Sequence, residues 1–201
     1  MAGSETRIWT AIVLAAGAGR RFGGRKLLAT FERRPLIAGA LDSAFAAPAR
    51  RVILITDGDA DLARVAQDHA RALGREACLD VVAATDAAEG MGASLRTAIA
   101  ALPADTDGAF VFLGDMPRIP PGLAQTLAEA MRPGVDLAAA CFEGRRGHPV
   151  LFGRACFPTL LALGGDVGAR EVLAKAGERL ALVDSPDAGV LFDVDRREDL
   201  A

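Results

Sequence analysis

The sequence predicts an α/β protein in which a mostly parallel, Rossmann-like sheet carries helices on both faces. Three observations lead to this prediction. Short apolar runs alternate with segments of helical period through most of the 201 residues, which is the pattern of βα units. The first run, Thr10–Ala16, is apolar at almost every position, as expected of a strand buried on both faces. A loop rich in glycine and arginine follows it, at the edge where open parallel sheets bind ligands.

Turn and cap residues divide this pattern into elements. Pro35 is expected in the first turn of a helix, and Asp59 is expected to cap the next helix, which ends at Gly74. After residue 140 the pattern becomes less regular. No linker, repeat or low-complexity tract interrupts the chain, so we expect a single domain over residues 1–201. The predicted strands are 10–16, 51–56, 79–84, 109–113, 135–140, 149–152, 180–183 and 190–192, and the predicted helices are 35–47, 59–73, 93–102, 122–131 and 167–176.

Composition and charge exclude several classes of function. The formal net charge is -3, so no basic surplus suggests a nucleic-acid partner. No apolar run approaches the roughly 18 residues of a membrane span, and residues 1–10 lack the apolar core of a signal peptide. The three cysteines are widely spaced, which favours neither a zinc site nor a disulfide framework. We therefore expect a cytoplasmic protein with no membrane partner.

The glycine-rich loop has the composition of a phosphate-binding loop. Glycines let backbone N–H groups approach a phosphate closely, and cationic side chains supply countercharge. The dinucleotide fingerprint fails because Phe22 stands where its third glycine belongs, and the P-loop fails because Lys26 precedes Leu27. A tight turn with solvated arginines is the alternative. The residues concerned are Gly17, Gly19, Gly23, Gly24, Arg20, Arg21, Arg25 and Lys26.

Two acidic segments are candidates for binding a divalent cation. Asp115 follows the apolar run 109–113, where a carboxylate at the end of a central strand is well placed for Mg²⁺. Asp193 and Asp195 alternate with apolar residues, so both can project from one face of a short strand. The alternatives are a turn-capping role for Asp115 and an N-cap role for Asp195. Among the histidines, His69 is expected on a solvated helix surface, and His148 is either a turn residue or functional.

Six motifs in order resemble the MobA-like nucleotidyltransferases, and most closely their molybdenum cofactor cytidylyltransferase branch. The resemblance covers nearly the whole chain and implies a fold of the nucleotide-diphospho-sugar transferase type. It also implies a nucleotide-binding half at about 8–118 and an acceptor-binding half at about 119–201. The motifs are LAAGAGRRFG at 14–23 with Lys26 behind it, EGMGASLR at 89–96, LGDMP at 113–117, GHPVLF at 147–152, GDVGAR at 165–170 and FDVD at 192–195.

The resemblance also implies a role for each matching residue. Arg21, Lys26 and Asp115 are expected to be catalytic, and Asp115, Asp195 and Asp193 to bind Mg²⁺. His148, Asp166 and Arg170 are expected to face the acceptor. The nucleotide-binding residues are expected to be Leu14, Ala15, Ala16, Gly17, Gly19, Arg21, Lys26, Gly90 and Ser94.

Two departures from the guanylyl branch favour CTP over GTP. That branch usually reads LAGG and often has an acid just before the lysine, whereas this chain reads LAAG with Arg25 before Lys26. The resemblance implies that CMP is transferred to molybdopterin or Mo-molybdopterin, with a molybdoenzyme or its accessory chaperone as a further partner. Three alternatives stay open: guanylyl transfer, transfer to a sugar or polyol phosphate to which Arg145 and Arg146 of the GRRG turn are suited, and a cofactor-binding chaperone with little turnover.

Overall fold

The computed structural model describes residues 7–17, 22–164 and 169–200. Its centre is a seven-stranded sheet with the strand order β5-β4-β1-β6-β8-β7-β9, and β2 and β3 form a separate small hairpin. The strands are β1 (Trp9–Leu14), β2 (Thr30–Phe31), β3 (Arg34–Pro35), β4 (Arg51–Thr56), β5 (Leu79–Ala83), β6 (Gly108–Leu113), β7 (Leu137–Phe142), β8 (Arg145–Gly153) and β9 (Leu180–Asp184). The helices are α1 (Ile37–Ala46), α2 (Ala60–Ala72), α3 (Met91–Ala100), α4 (Leu123–Ala130), α5 (Phe157–Leu161) and α6 (Arg170–Lys175).

Helices cover both faces of the sheet, as the sequence predicts. Successive residues of a strand point to opposite faces, and those of β1 and β4 divide accordingly between two apolar cores. Val13 and Leu54 pack with α1, α2 and α4, whereas Ile12 and Ile53 pack with α3 and α5. The fold class is therefore α/β with a mostly parallel, Rossmann-like sheet.

The antiparallel strand β8 lies inside the sheet, between β6 and β7. A two-residue turn causes this reversal, because Phe142 pairs with Arg145 across Glu143 and Gly144. Both turn residues have positive φ, 49° and 75°, which suits the twist of a tight hairpin. The prediction of a short strand at 149–152 captured only the buried end of β8.

Two predicted elements are wrong. Residues 190–192 are not a strand, because Ala188–Leu191 is a 3-10 helix that packs over β8. Pro35 is not in a helical first turn, because it belongs to β3 and pairs with Thr30, and α1 begins only at Ile37. By contrast, Asp59 caps α2 as predicted, since its carboxylate accepts hydrogen bonds from the N–H groups of Asp61 and Leu62.

No helix in the described ranges is both long enough and apolar enough to cross a lipid bilayer.

Candidate functional site

A cleft of about 580 Å³ opens beyond the carboxyl ends of β1, β4 and β6. This is the edge where the three parallel strands deliver their following loops, and where open α/β sheets bind ligands. Eight residues predicted from the sequence line it: Leu14, Ala15, Ala16, Gly17, Lys26, Gly90, Ser94 and Asp115. Seven lining residues were not predicted: Leu27, Asp57, Ala87, Ala88, Glu89, Met91 and Leu113.

Asp57 is the missed residue for which the sequence held a signal. It follows β4 directly, just as Asp115 follows β6 one residue later, and both strands are parallel neighbours of β1. The rule that such strand ends share one edge applies equally to both aspartates. Ala87 and Ala88, in contrast, have no chemical character that marks them in the sequence, whereas Glu89 begins the EGMGASLR motif but was assigned no site role.

Lys26 forms the charged end of this cleft together with two carboxylates. Its Nζ donates a hydrogen bond to Oδ2 of Asp115 at 2.7 Å and lies 3.6 Å from Oδ1 of Asp195. The Lys26 side chain is only 12% exposed, and that of Asp115 is 24% exposed. The ammonium therefore lies between two carboxylates that come from distant parts of the sequence, residues 115 and 195. The structure brings these predicted catalytic and metal-binding residues together.

We call residues Ala188 to Asp195 the C-terminal loop. This loop is fixed onto the loop that carries Asp115. The Val194 N–H donates to the Asp115 carbonyl at 3.0 Å. The Val194 side chain is fully buried with Phe22, Phe31 and Leu36. Backbone bonding and apolar burial together hold the two aspartates that flank Val194 at the cleft.

Gly189 allows the C-terminal loop to approach closely. A Cβ at this position would lie 1.9 Å from the Arg118 carbonyl oxygen, so only glycine fits there. The Arg118 guanidinium lies over the rings of Phe31 and Phe192, at 5.1 and 4.6 Å from their centroids. Its Nη2 also donates to Oε1 of Glu32 at 2.9 Å. Arg118 thus joins the C-terminal loop to the β2–β3 hairpin.

Asp193 lies in the negative field of the other two carboxylates. Partial desolvation raises its pKa, and the charges of Asp195 and then Asp115 raise it further. The residue remains largely exposed, so water screens part of this repulsion. Within the described part of the chain, no three His, Cys, Asp or Glu side chains enclose a metal by themselves. A cation that takes one or two carboxylates and completes its shell with phosphates and water, as Mg²⁺ usually does, needs no third protein ligand.

Strand β1 and its neighbours hold the start of the glycine-rich loop rigidly. The Ala15 N–H donates to the Ile55 carbonyl at 2.8 Å, and the Gly114 N–H donates to the Leu14 carbonyl at 2.9 Å. The Ala15 N–H is therefore committed to the sheet. Ala15 remains in the cleft lining, but its amide hydrogen does not serve a ligand.

The Ala87–Glu89 turn forms the second wall of the cleft and leads into α3. We call this turn the cleft wall. Gly90 joins the two with φ 122° and ψ -177°, a conformation that other residues rarely adopt. Ser94 in the first turn of α3 is 5% exposed and faces the cleft. The exposed Met91 stands at the rim.

Several other predicted residues lie elsewhere. Arg25 adopts a left-handed conformation, and its guanidinium pairs with Asp61 on α2 rather than entering the cleft. His69 is not merely solvated, because its Nε2 lies 2.7 Å from Oδ1 of Asp42. Gly19, Arg20, Arg21 and Asp166 are outside the described residues.

The two remaining predicted acceptor residues are separate from the cleft lining. His148 lies on β8, and its Nδ1 is 3.3 Å from the Val111 carbonyl. Burial lowers the pKa of His148, whereas the Val111 carbonyl and the charge of Asp115 raise it by smaller amounts. The lowered pKa favours a neutral imidazole. Arg170 begins α6 and is exposed. The exposed Arg145 and Arg146 begin β8, beyond the turn at Gly144.

Comparisons with known proteins agree with this geometry. Residues 11–180 match the family described as the MobA-like NTP transferase domain. The purine catabolism protein PucB of Bacillus subtilis (strain 168) is 30% identical over 193 residues, which are 94% of this chain and 92% of PucB. The nicotine blue oxidoreductase of Paenarthrobacter nicotinovorans is 28% identical over 202 residues, covering 95% of this chain and 94% of that protein.

A solved structure has the same fold over nearly its full length. The crystal structure of Rv0371c from Mycobacterium tuberculosis H37Rv superposes with a TM-score of 0.79 at 28% identity, covering 96% of this chain and 95% of that one. A second structure, of Rv0371c in complex with manganese, gives a TM-score of 0.73 at 27% identity over 96% and 95%.

Proposed function

Because this chain belongs to the family of MobA-like NTP transferases, we propose that it transfers CMP from CTP to molybdopterin or Mo-molybdopterin, with Mg²⁺, releasing pyrophosphate. Nucleotidyl transfer follows from the family. The nucleotide, the acceptor and the metal are the parts that this proposal adds. We also propose that residues 1–201 act as one domain, with nucleotide bound mainly by about 8–118 and acceptor by about 119–201.

The observation that carries the proposal is the group of Lys26, Asp115 and Asp195 at one end of the cleft. Lys26 and Asp115 both line the cleft, so the ammonium, which lies 2.7 Å from one carboxylate and 3.6 Å from another, stands where a ligand would bind. A transferase needs both signs of charge there, because it must neutralise a triphosphate and also orient the reacting α-phosphate. When a triphosphate enters, the Lys26 ammonium can exchange carboxylate partners for phosphate oxygens.

The reaction is a substitution at the α-phosphorus of CTP. A phosphate oxygen of the acceptor forms the new P–O bond, the bond between the α-phosphorus and the α–β bridging oxygen breaks, and pyrophosphate leaves with that electron pair. No general base is required, because the attacking phosphate oxygen is already ionised at neutral pH. Lys26 stabilises the charge that develops on the leaving group, together with Arg21.

The carboxylates fit a divalent cation. Asp115 and Asp195 are close enough to share one ammonium, and the raised pKa of Asp193 reflects its partial desolvation first and then the negative charges of Asp195 and Asp115. We propose Asp115 and Asp195 as ligands, with Asp193 beside them. A bound Mg²⁺ would supply charge neutralisation and a template for the triphosphate. The manganese in the Rv0371c complex supports a divalent ion in this family.

The nucleoside is proposed to lie between the end of β1 and the cleft wall. Leu14, Ala16 and Gly17 line one side, and Gly90 and Ser94 line the other. We propose cytosine as the base, on the strength of Ala16 in the LAAG motif. Ala16 is 7% exposed and packs against α3, so the space beside the base depends on one methyl group.

The acceptor is proposed to approach from the side of β8. His148 and Asp115 are near enough for the carboxylate to influence the imidazole. In a neutral His148 whose Nδ1–H is directed at the Val111 carbonyl, Nε2 stays available to accept a hydrogen bond from an N–H or O–H group of the acceptor molecule. Arg145, Arg146 and Arg170 are exposed and carry the positive charge that a phosphorylated acceptor requires. We include Asp166 in this group from its motif.

Pyrophosphate release tests the proposal directly. The purified protein is incubated with Mg²⁺, molybdopterin and each NTP in separate reactions. Release with CTP alone supports the full proposal, whereas release with GTP reverses the base assignment. Release only when a sugar or polyol phosphate replaces molybdopterin would move the protein to another acceptor class. Binding of CTP without release under any condition would favour the chaperone alternative.

The relative from Paenarthrobacter nicotinovorans is named an oxidoreductase, so the experiment needs a control for oxidoreductase activity. Consumption of NADH or NADPH is measured in the same reactions. We expect none, because Phe22 stands where the dinucleotide fingerprint needs a glycine. Oxidation of either cofactor in place of pyrophosphate release would contradict the transferase proposal.

A further inference from the structure

Arg96 on α3 supports the cleft wall from the side that faces away from the ligand. Its Nη2 donates to the carboxylate of Asp86 and lies 3.4 Å from Oε2 of Glu89. The hydrogen bond from Arg96 is the main cause of the lowered pKa of Asp86. The other Asp86 oxygen accepts a hydrogen bond from Oγ1 of Thr97 at 3.2 Å. One arginine therefore binds both ends of the short turn whose residues line the cleft.

The cleft wall depends on this support because its own hydrogen bonds are local. Three backbone bonds close the turn on itself: Ala87 N–H to the Ala84 carbonyl, Glu89 N–H to the Asp86 carbonyl, and Gly90 N–H to the Ala87 carbonyl. Among the described residues, the Asp86 and Glu89 side chains reach only α3. Local turn bonds fix the shape of the wall, whereas Arg96, with Thr97 beside it, links the wall to the side of α3.

The same guanidinium also holds the chain that follows α5. Its Nη1 donates to the carbonyl of Leu163, two residues beyond the last residue of the helix, at 2.7 Å. In the sequence, Leu163 stands three residues before Asp166 and leads on to Arg170. Asp166 and Arg170 are the residues proposed to contact the acceptor. Arg96 thus joins the nucleotide side of the site to the acceptor side.

We propose that Arg96 is a positioning residue that fixes the cleft wall for the nucleotide and couples it to the acceptor-binding segment after α5. This inference rests on the proposed function. Arg96 does not line the cleft, so it acts through Asp86, Glu89 and Leu163 rather than on the substrates. The guanidinium is suited to this because it offers several N–H donors in a rigid fork, whereas a lysine ammonium is a single point of charge.

Three variants separate this role from a general loss of stability. Arg96→Ala removes the contacts with Asp86, Glu89 and Leu163 together, whereas Asp86→Ala removes the contacts of Asp86 with Arg96 and Thr97 and leaves the bond to Leu163. Arg71→Ala is the matched control, because Arg71 also pairs with two carboxylates, Asp68 and Glu76, on a surface remote from the cleft. Folding of each variant is checked by circular dichroism and thermal unfolding.

The Kd of CTP with Mg²⁺ is measured by calorimetry without acceptor, and the KM of molybdopterin by pyrophosphate release. Arg96→Ala is expected to raise both by about fivefold, the scale of one partly exposed charged contact. Asp86→Ala is expected to raise only the Kd of CTP, and Arg71→Ala neither. In the double variant Arg96→Ala/Asp86→Ala, the rise in the Kd of CTP should be smaller than the product of the two single-variant rises, because both changes remove the Arg96–Asp86 contact, while Asp86→Ala also removes the bond from Thr97.

An unchanged Kd for CTP in a folded Arg96→Ala variant would overturn the inference. If that variant does not fold, Arg96→Lys replaces it, and we expect near-normal CTP binding with a raised KM for molybdopterin. Normal values of both in Arg96→Lys would then overturn the coupling. A wild-type protein that binds no nucleotide would instead overturn the proposed function itself.

Discussion

Replacing Gly189 with alanine is expected to slow catalysis by moving the C-terminal loop away from the loop that carries Asp115. The added Cβ would lie 1.9 Å from the Arg118 carbonyl oxygen and 3.0 Å from its carbonyl carbon. Both atoms belong to the backbone, so no side chain can rotate to relieve the clash. Since real Cβ atoms do not approach closer than 3.0 Å, the two segments must separate by about 1 Å in a close-packed region.

The magnitude follows from what this separation does to the charged group. Overpacking of this kind costs roughly 1–3 kcal/mol of stability. A displacement of about 1 Å at a reacting centre can cost on the order of 100-fold in rate. Because Asp195 lies only 3.6 Å from the Lys26 ammonium, we expect kcat to fall by roughly 10- to 100-fold. Asp195 contacts Lys26 but does not itself line the cleft, so we expect CTP binding without metal to change much less than kcat.

The assay is steady-state pyrophosphate release at several Mg²⁺ concentrations, with thermal unfolding measured in parallel. Gly108→Ala is the control, because a Cβ there would also clash with backbone, 2.8 Å from the Phe152 carbonyl oxygen, but at the start of β6, the end of the strand away from the cleft. A lowered melting temperature with wild-type kcat and metal dependence would refute the reasoning. It would show that the loop can move without disturbing the site.

Three further predictions concern other residues. Asp115→Asn should lower kcat by about 100-fold or more, as loss of one aligned charge does, while circular dichroism stays native; unfolding would assign Asp115 a structural role. Ala16→Gly should shift the ratio of kcat/KM values toward GTP, and an unchanged ratio would mean that Ala16 does not select the base. Burial raises the pKa of Cys141 and Cys156 to about 11, so both thiols stay neutral in the folded protein above the unfolded value of about 8.5. Stability from these thiols is therefore present below about pH 8.5 and lost as the pH rises toward 11, which denaturant unfolding at pH 8 and 10 can measure; a higher unfolding free energy at pH 10 would contradict this.

The sequence by itself determined which segments form the strands of the parallel half of the sheet. β4 has the bounds predicted for it, and β1, β5 and β6 differ by only one or two residues. These strands are buried on both faces, so each is a continuous apolar run that turn residues interrupt. Part of the cleft lining could be predicted for the same reason, because Ala15–Gly17 follow β1 and Asp115 lies two residues after β6.

The tertiary structure alone decided how distant segments meet. Lys26, Asp115 and Asp195 form one charged group because Val194 bonds the Asp115 carbonyl and packs under the β2–β3 hairpin. No local pattern encodes that contact, and the motif around residue 193 resembled a strand because its apolar residues alternate. Arg25 was grouped with Lys26 by sequence proximity, yet its left-handed backbone turns its side chain to α2. Local periodicity reports which residues are buried, whereas the partners of charged side chains depend on the packing of the whole chain.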